Sequence, residues 1–214
     1  MRDLSYAMEV AQDQENDSIK KSINDLPIDT PVSHPLEHEW TLWYYDNNKN
    51  KDWLENLHEV YTFSTVEDFW CLFNHIKPVT SLSAGNDYSL FKKGIRPMWE
   101  DDHNKKGGRW LLNMDGRMNR NDLHDLWLNL LLFMIGESFD EFSDEICGAF
   151  VNVRKLDKIS LWTANADKRN EILEIGKKLK FECLRLPQEM KVIYETHLDS
   201  QNKTGSRAKY LHVV

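Results

Sequence analysis

The residues most able to do chemistry here are aromatic. Eight tryptophans occur in 214 residues, and the default role of a tryptophan is to fill a core. Trp40, Trp70, Trp110 and Trp127 fit that role, because each lies on a strand-like or helix-like pattern. Trp53 and Trp99 do not: they stand in NNKNKDWLEN and RPMWEDD, where burying the indole would drag charged neighbours inside. An exposed indole face stacks on a nucleobase for roughly 1–3 kcal/mol per base. If the base carries a delocalised positive charge, as guanine methylated at N7 does, cation–π attraction adds to the stack and two indoles can sandwich it. Glu100 follows Trp99, and a carboxylate there could accept hydrogen bonds from guanine N1–H and the N2 amino group. The competing reading of Glu100 is an ordinary solvated acid in the EDD run.

A ligand that continues into phosphates needs a small local group of cations. Arg154, Lys155 and Lys158 surround one short turn, and Arg109 follows the Gly107–Gly108 pair. Each alone reads as a solvated charge; their meaning lies in converging on the tryptophan sites.

Other chemistry is excluded more simply. The sequence lacks the glycine-rich phosphate and dinucleotide loops, the paired-histidine zinc motif and the nucleophile elbow. His34 and His38 are four apart, but His34 precedes a proline and does not sit on a regular helix. Cys71, Cys147 and Cys183 have no metal-ligand spacing and read as buried, reduced thiols. No acid cluster suited to catalytic metal ions is evident, which argues against a metal-dependent hydrolase; no cofactor is expected. The formal charge of −8 opposes indiscriminate binding of nucleic acid. No run approaches ~18 apolar residues and no signal peptide is recognisable, so neither a membrane span nor secretion is expected.

These groups must be positioned by a fold. Residues 1–33 hold few large apolar side chains, with three cations against seven acids, and read as a disordered tail. Residues 34–214 read as one domain. WTLWYY is a strand followed by a polar loop, and further strands are expected at 60–63, 88–93, 109–114, 147–153, 159–163, 190–196 and 210–214. VNVRKLDKISLW predicts a hairpin. Ser64 and Glu67 predict a capping box for a helix carrying Val66, Phe69, Trp70, Phe73 and Ile76 up to Pro78. A second helix is predicted over 121–134, capped by Asp122 and closed by Gly136. A third covers 167–180, with Lys177, Lys178 and Lys180 outside. Paired strands separated by single helices give an α+β fold, a mostly antiparallel sheet with helices on one side.

The blocks HPLEHEWTLWYY, TVEDFWCLFNHI, DYSLFKKGIRPMWED, NKKGGRWLL, LLLFMIGE, CGAFVNVR and KISLWT together resemble the eukaryotic translation initiation factor 4E family, from about His34 to Val214. The resemblance implies a single curved sheet of about eight strands backed by three long helices, with the 7-methylguanosine cap of messenger RNA on the concave face. By motif position it implies that Trp53 and Trp99 form the sandwich, Glu100 reads the guanine edge and Trp162 meets the N7-methyl group. Arg109, Arg154, Lys158 and Lys203 then hold the phosphates. On the convex side, His34, Pro35, Val66, Trp70, Leu128, Asn129 and Leu132 match a surface for a short helix of initiation factor 4G and of competing 4E-binding repressors. Trp70 thereby becomes an exception to the core role. Ser206 matches a phosphorylated position, and the location implied is cytoplasmic, with the nucleus as a second compartment.

Some positions depart from the family pattern. Asn129 stands where an acid is common, and a neutral amide weakens pairing with a basic partner residue. The turn after Arg154 is one residue short, with Leu156 in place of a small or basic residue. Trp43 and Trp53 favour the initiation type, while Asn129 fits a specialised paralogue or a cap-bound repressor as well; both readings stay open.

Overall fold

The computed structural model describes residues 33–114, 118–201 and 210–214. Eight strands form one sheet: β1 (Pro35–Tyr45), β2 (Leu57–Thr65), β3 (Asp87–Lys92), β4 (Gly108–Asn113), β5 (Ile146–Asn152), β6 (Lys158–Thr163), β7 (Ile193–Thr196) and β8 (His212–Val213). Their spatial order is β2-β1-β3-β5-β6-β4-β7-β8, with antiparallel neighbours throughout. The predicted hairpin is β5–β6, in register from Asn152 opposite Lys158. Three helices, α1 (Val66–His75), α2 (Arg120–Ile135) and α3 (Arg169–Lys177), contribute to one side; a short α4 (His197–Gln201) follows β7.

Strand alternation divides the buried residues between two faces. Leu90, Ala149, Val151, Ile159, Leu161 and Trp110 join the helices in the main core. Their neighbours Phe91, Phe150 and Trp162 form a separate aromatic cluster on the opposite face, joined by Cys147, which lies in the bulge between Ile146 and Gly148. The core side is closed by α2, whose whole predicted stripe, Leu123, Leu126, Trp127, Leu130, Leu131 and Met134, is buried. Each such side chain contributes roughly 1.5–3 kcal/mol. Trp110 adds a polar tie: fully buried, its indole N–H donates to the Ile172 carbonyl of α3 at 3.0 Å.

Local signals were right in kind and shifted in detail. For α2 the cap is Asn119, and Asp122 is the reciprocal member of the capping box. For α1 the cap is Thr65, whose Oγ1 accepts from the Asp68 amide at 3.1 Å, so Ser64 and Glu67 do not form the box. Beyond α3 the chain widens into a π-helical turn, Lys178–Cys183. That turn breaks the 3.6-residue period and carries Lys180 inward: it is buried, its ammonium donating to the Gln188 carbonyl at 2.9 Å. Of the three free cysteines, Cys71 is exposed on α1, against expectation; Cys147 and Cys183 are buried.

Candidate functional site

Two loops on one side of the sheet present Trp53 and Trp99, and their polar residues explain how. In the β1–β2 loop the buried Asn56 side chain donates to the carbonyls of Asn48 and Lys51 and accepts from the Asn48 amide. Asp52 and Glu55 cap one another's backbone amides at 2.9 and 2.8 Å. These bonds satisfy the turn from within, so Trp53 is free to stand out, 44% exposed. The β3–β4 loop uses the same device. Fully buried Asn104 donates to the carbonyls of Arg96 and Met98, and Asp101 accepts from the amides of Arg96 and His103. Trp99 is left 43% exposed.

The EDD run is thereby divided by role. Asp101 is consumed in the loop scaffold and Asp102 pairs with Lys105 at 2.6 Å. Glu100 is exposed and makes no hydrogen bond or ion pair among the described residues. It is the one acid of the three with neither oxygen engaged among the described residues.

Both tryptophans and Glu100 line a single cavity of about 580 Å³, together with Asp52, Leu54, Met98 and, at its floor, Phe150 and Trp162. Trp162 is buried and braced on several sides: ring centroids lie 5.1 Å from Phe150, 5.5 Å from Phe91 and 4.1 Å from His197. Its indole N–H has no hydrogen-bond partner among the described residues. His197 is held neutral, its pKa pushed down to about 3 by burial and then by the nearby Arg109 cation.

The cations share this face. Arg109 lies directly across from Trp162 in the β4–β6 ladder, and Lys158 lies four residues before Trp162 on the same strand. Gly107 and Gly108, which look like a flexible pair in the sequence, serve close approach: a Cβ on Gly107 would fall 1.8 Å from the Thr163 carbonyl oxygen. Arg109 donates twice to Oε1 of fully buried Glu195, at 3.0 and 2.8 Å, and once to Ser200. Arg154, in the turn after β5, forms a two-pronged pair with buried Asp87 at 2.6 and 2.8 Å. Burial raises the Asp87 carboxyl pKa, and Arg154 partly offsets this. Lys155 and Lys158 have no ion pair among the described residues. Lys203 and Ser206 lie outside the described residues.

On the helix side a second surface forms. Trp70, 37% exposed, follows half-buried Val66 by one helical turn and packs edge-on against Phe69 and Phe73. Phe73 stacks on His124 of α2 at 5.5 Å, so α1 and α2 meet there. Leu128 and Leu132 continue from His124 at one-turn intervals, half-buried, with Asn129 exposed beside them. His34 and Pro35 reach the start of α1, where the Val66 amide donates to the His34 carbonyl at 2.9 Å. The sequence alone missed what braces these groups: His197 behind Trp162, Glu195 and Asp87 behind the arginines, and Glu67 behind His34.

An open aromatic slot with one free carboxylate and cations along the same sheet face is the build of a binding protein for a flat, anionic ligand. No helix among the described residues is long and apolar enough to cross a membrane. The chain belongs to the eukaryotic initiation factor 4E family, whose model matches residues 35–211; these are translation initiation factors and not enzymes. It is 49% identical over 187 residues to eukaryotic translation initiation factor 4E of Xenopus laevis, covering 87% of each chain. Among solved structures it resembles C. elegans eIF4E-3 in complex with the 4E-binding protein Mextli and a cap analog, at 46% identity and a TM-score of 0.78, over 86% of this chain and 100% of that one. Ascaris suum eIF4E-3 with an m2,2,7G cap matches at 46% identity and a TM-score of 0.80, over 86% and 99%.

Proposed function

We propose that this protein binds the 7-methylguanosine cap of messenger RNA and brings it to the translation initiation complex through its helical face. The observation that carries the reading is the shared cavity, in which two half-exposed indoles from separate loops flank the free carboxylate of Glu100. A methylated guanine slots between Trp53 and Trp99, gaining roughly 1–3 kcal/mol from stacking and roughly 0.5–2 kcal/mol from cation–π attraction. Glu100 accepts from its N1–H and N2 amino group, and Trp162 meets the methyl group at the floor. Arg109, Arg154 and Lys158 receive the triphosphate, with Lys203 as a further cation. That related proteins were solved with cap ligands supports the same ligand here.

Trp70, Val66, Leu128, Leu132, His34 and Pro35 then take the apolar anchors of a short partner helix from initiation factor 4G or from a 4E-binding repressor. A cytoplasmic location follows from this role. Titration with 7-methyl-GTP and with GTP, followed by tryptophan fluorescence, should show quenching with strong preference for the methylated ligand. Equal affinities would exclude the reading.

Asn129 favours a second reading, in which the protein holds caps without engaging initiation factor 4G and so represses. Pull-down with the helical 4G peptide separates the two. Binding that Trp70→Ala abolishes supports initiation, and no binding at micromolar peptide supports the repressor.

A further inference from the structure

The start of β1 is held by an interaction the sheet does not supply. Pro35 pairs with Thr65, but the β1–β2 register then slips and resumes only at Trp40. The ladder therefore leaves His34 and Pro35 at the end of an irregular stretch. Three bonds to the first turn of α1 take its place. The Val66 amide donates to the His34 carbonyl at 2.9 Å, the His34 amide donates to Glu67 Oε2 at 3.0 Å, and the His34 ring Nδ1 lies 2.6 Å from Glu67 Oε1. Glu67 is the second residue of α1, where unpaired amides and the helix dipole favour a carboxylate. Its carboxyl pKa is lowered to about 2, first by the bond from the His34 ring and then by the bond from the His34 amide. One side chain thus fixes both the backbone and the ring of the residue that leads into Pro35.

We propose that Glu67 is a positioning residue of the docking surface: its carboxylate holds His34 and Pro35 in place beside Val66 and Trp70 for a partner helix to meet. The inference rests on the docking role proposed above. Both carboxylate oxygens are engaged by His34, so the influence of Glu67 on a partner travels through His34. Without the clamp, binding must also order the chain end, and that ordering weakens association.

The test is a double-mutant cycle on the full chain with a labelled peptide carrying the 4E-binding helix of initiation factor 4G. Glu67→Ala should weaken peptide binding about three- to tenfold and leave 7-methyl-GTP binding unchanged, which also reports a folded protein. Glu67→Gln, keeping an acceptor for the His34 amide, should recover part of the loss. His34→Ala combined with Glu67→Ala should lose less than the product of the two single losses, because His34→Ala has already removed the ring bond and leaves only the amide bond for the second substitution to break. Wild-type peptide affinity in Glu67→Ala, or losses that multiply in the double variant, would overturn the proposal, the latter by showing that Glu67 touches the partner directly. If the unmutated protein binds no peptide, the docking surface itself falls, a result visible before any variant is made.

Discussion

Truncating Trp99 separates ligand binding from stability, because the structure gives its ring two unequal environments. Nearly half of the side chain is open to the cavity, so Trp99→Ala removes little packing, and the fold should change by less than about 1 kcal/mol. On the proposed function, the open face is the one offered to the base. Its loss should cost 7-methyl-GTP the stack, roughly 1–3 kcal/mol, plus a cation–π share of roughly 0.5–2 kcal/mol. GTP loses the stack alone. A combined loss of about 1.5–5 kcal/mol corresponds to roughly ten- to several-thousandfold in Kd, with a larger effect on the methylated ligand, so the preference should shrink. Trp110→Ala is the control with the opposite signature: that indole is fully buried, and its truncation should cost about 3–5 kcal/mol of stability. Fluorescence titrations with both nucleotides and urea unfolding of both variants supply the numbers. If Trp99→Ala unfolds the protein while its ligand preference survives, the ring is a core element and the slot does not exist.

Other expectations follow from the groups behind the site. Asp87→Ala should cost about 1–2 kcal/mol, below the fully buried case because Arg154 is 40% exposed; it should weaken 7-methyl-GTP more than 7-methylguanosine, as isothermal titration would show. His197 has a folded pKa lowered from 6.5 to about 3; the unfolded state thus takes up the proton first as pH falls. Its stabilising contribution is present above pH 6.5 and is lost between there and about pH 3, so His197→Gln should be less acid-sensitive than wild type in that window. Equal slopes of stability against pH would refute this. Gly148 lies opposite Trp162, and a Cβ there would fall 2.4 Å from the Phe91 ring. Gly148→Ala should displace Phe91, loosen Trp162 and weaken 7-methyl-GTP binding, measured alongside the melting temperature to separate site damage from unfolding.

How far the sequence could be read depended on the distance over which each choice is settled. The α2 stripe was legible because burial follows a local period, and the β5–β6 hairpin because a short turn joins two alternating segments. The α1 cap was ambiguous locally: Ser64 with Glu67 and Thr65 with Asp68 offer the same spacing. The choice is made by His34, 33 residues away, which engages Glu67 and leaves Thr65 to cap. Lys180 was misplaced because a π turn carries no signature in the apolar period. Trp53, Trp99 and Glu100 stood out because their surroundings were too polar to bury. Trp162 sits in an ordinary strand, so its local pattern gave no signal; it was reached through the family resemblance, and the register sets it opposite Arg109.

On the proposed function, a chain of net charge −8 meets a polyanion with cations that the fold gathers locally. Glu195 and Asp87 come from sequence positions 86 and 67 residues distant from their arginines, so the topology assembles these pairs. Each buried carboxylate satisfies one edge of a guanidinium and fixes its plane, while 26% of the Arg109 side chain and 40% of that of Arg154 remain open. An arginine held in this way has less rotamer freedom to lose when a phosphate arrives, although the paired acid reduces its net charge. Lys158, with no such partner among the described residues, keeps its full charge but must be ordered by the ligand. On that function the arginines supply direction and the lysine supplies field. Raising the salt concentration should weaken the Lys158 contribution most, since an unpaired surface charge is screened more than a partly buried one. A Lys158→Ala variant should consequently show a shallower dependence of 7-methyl-GTP affinity on salt than Arg154→Ala; the reverse order would mean that the pairing with Asp87 leaves Arg154 as the dominant long-range charge.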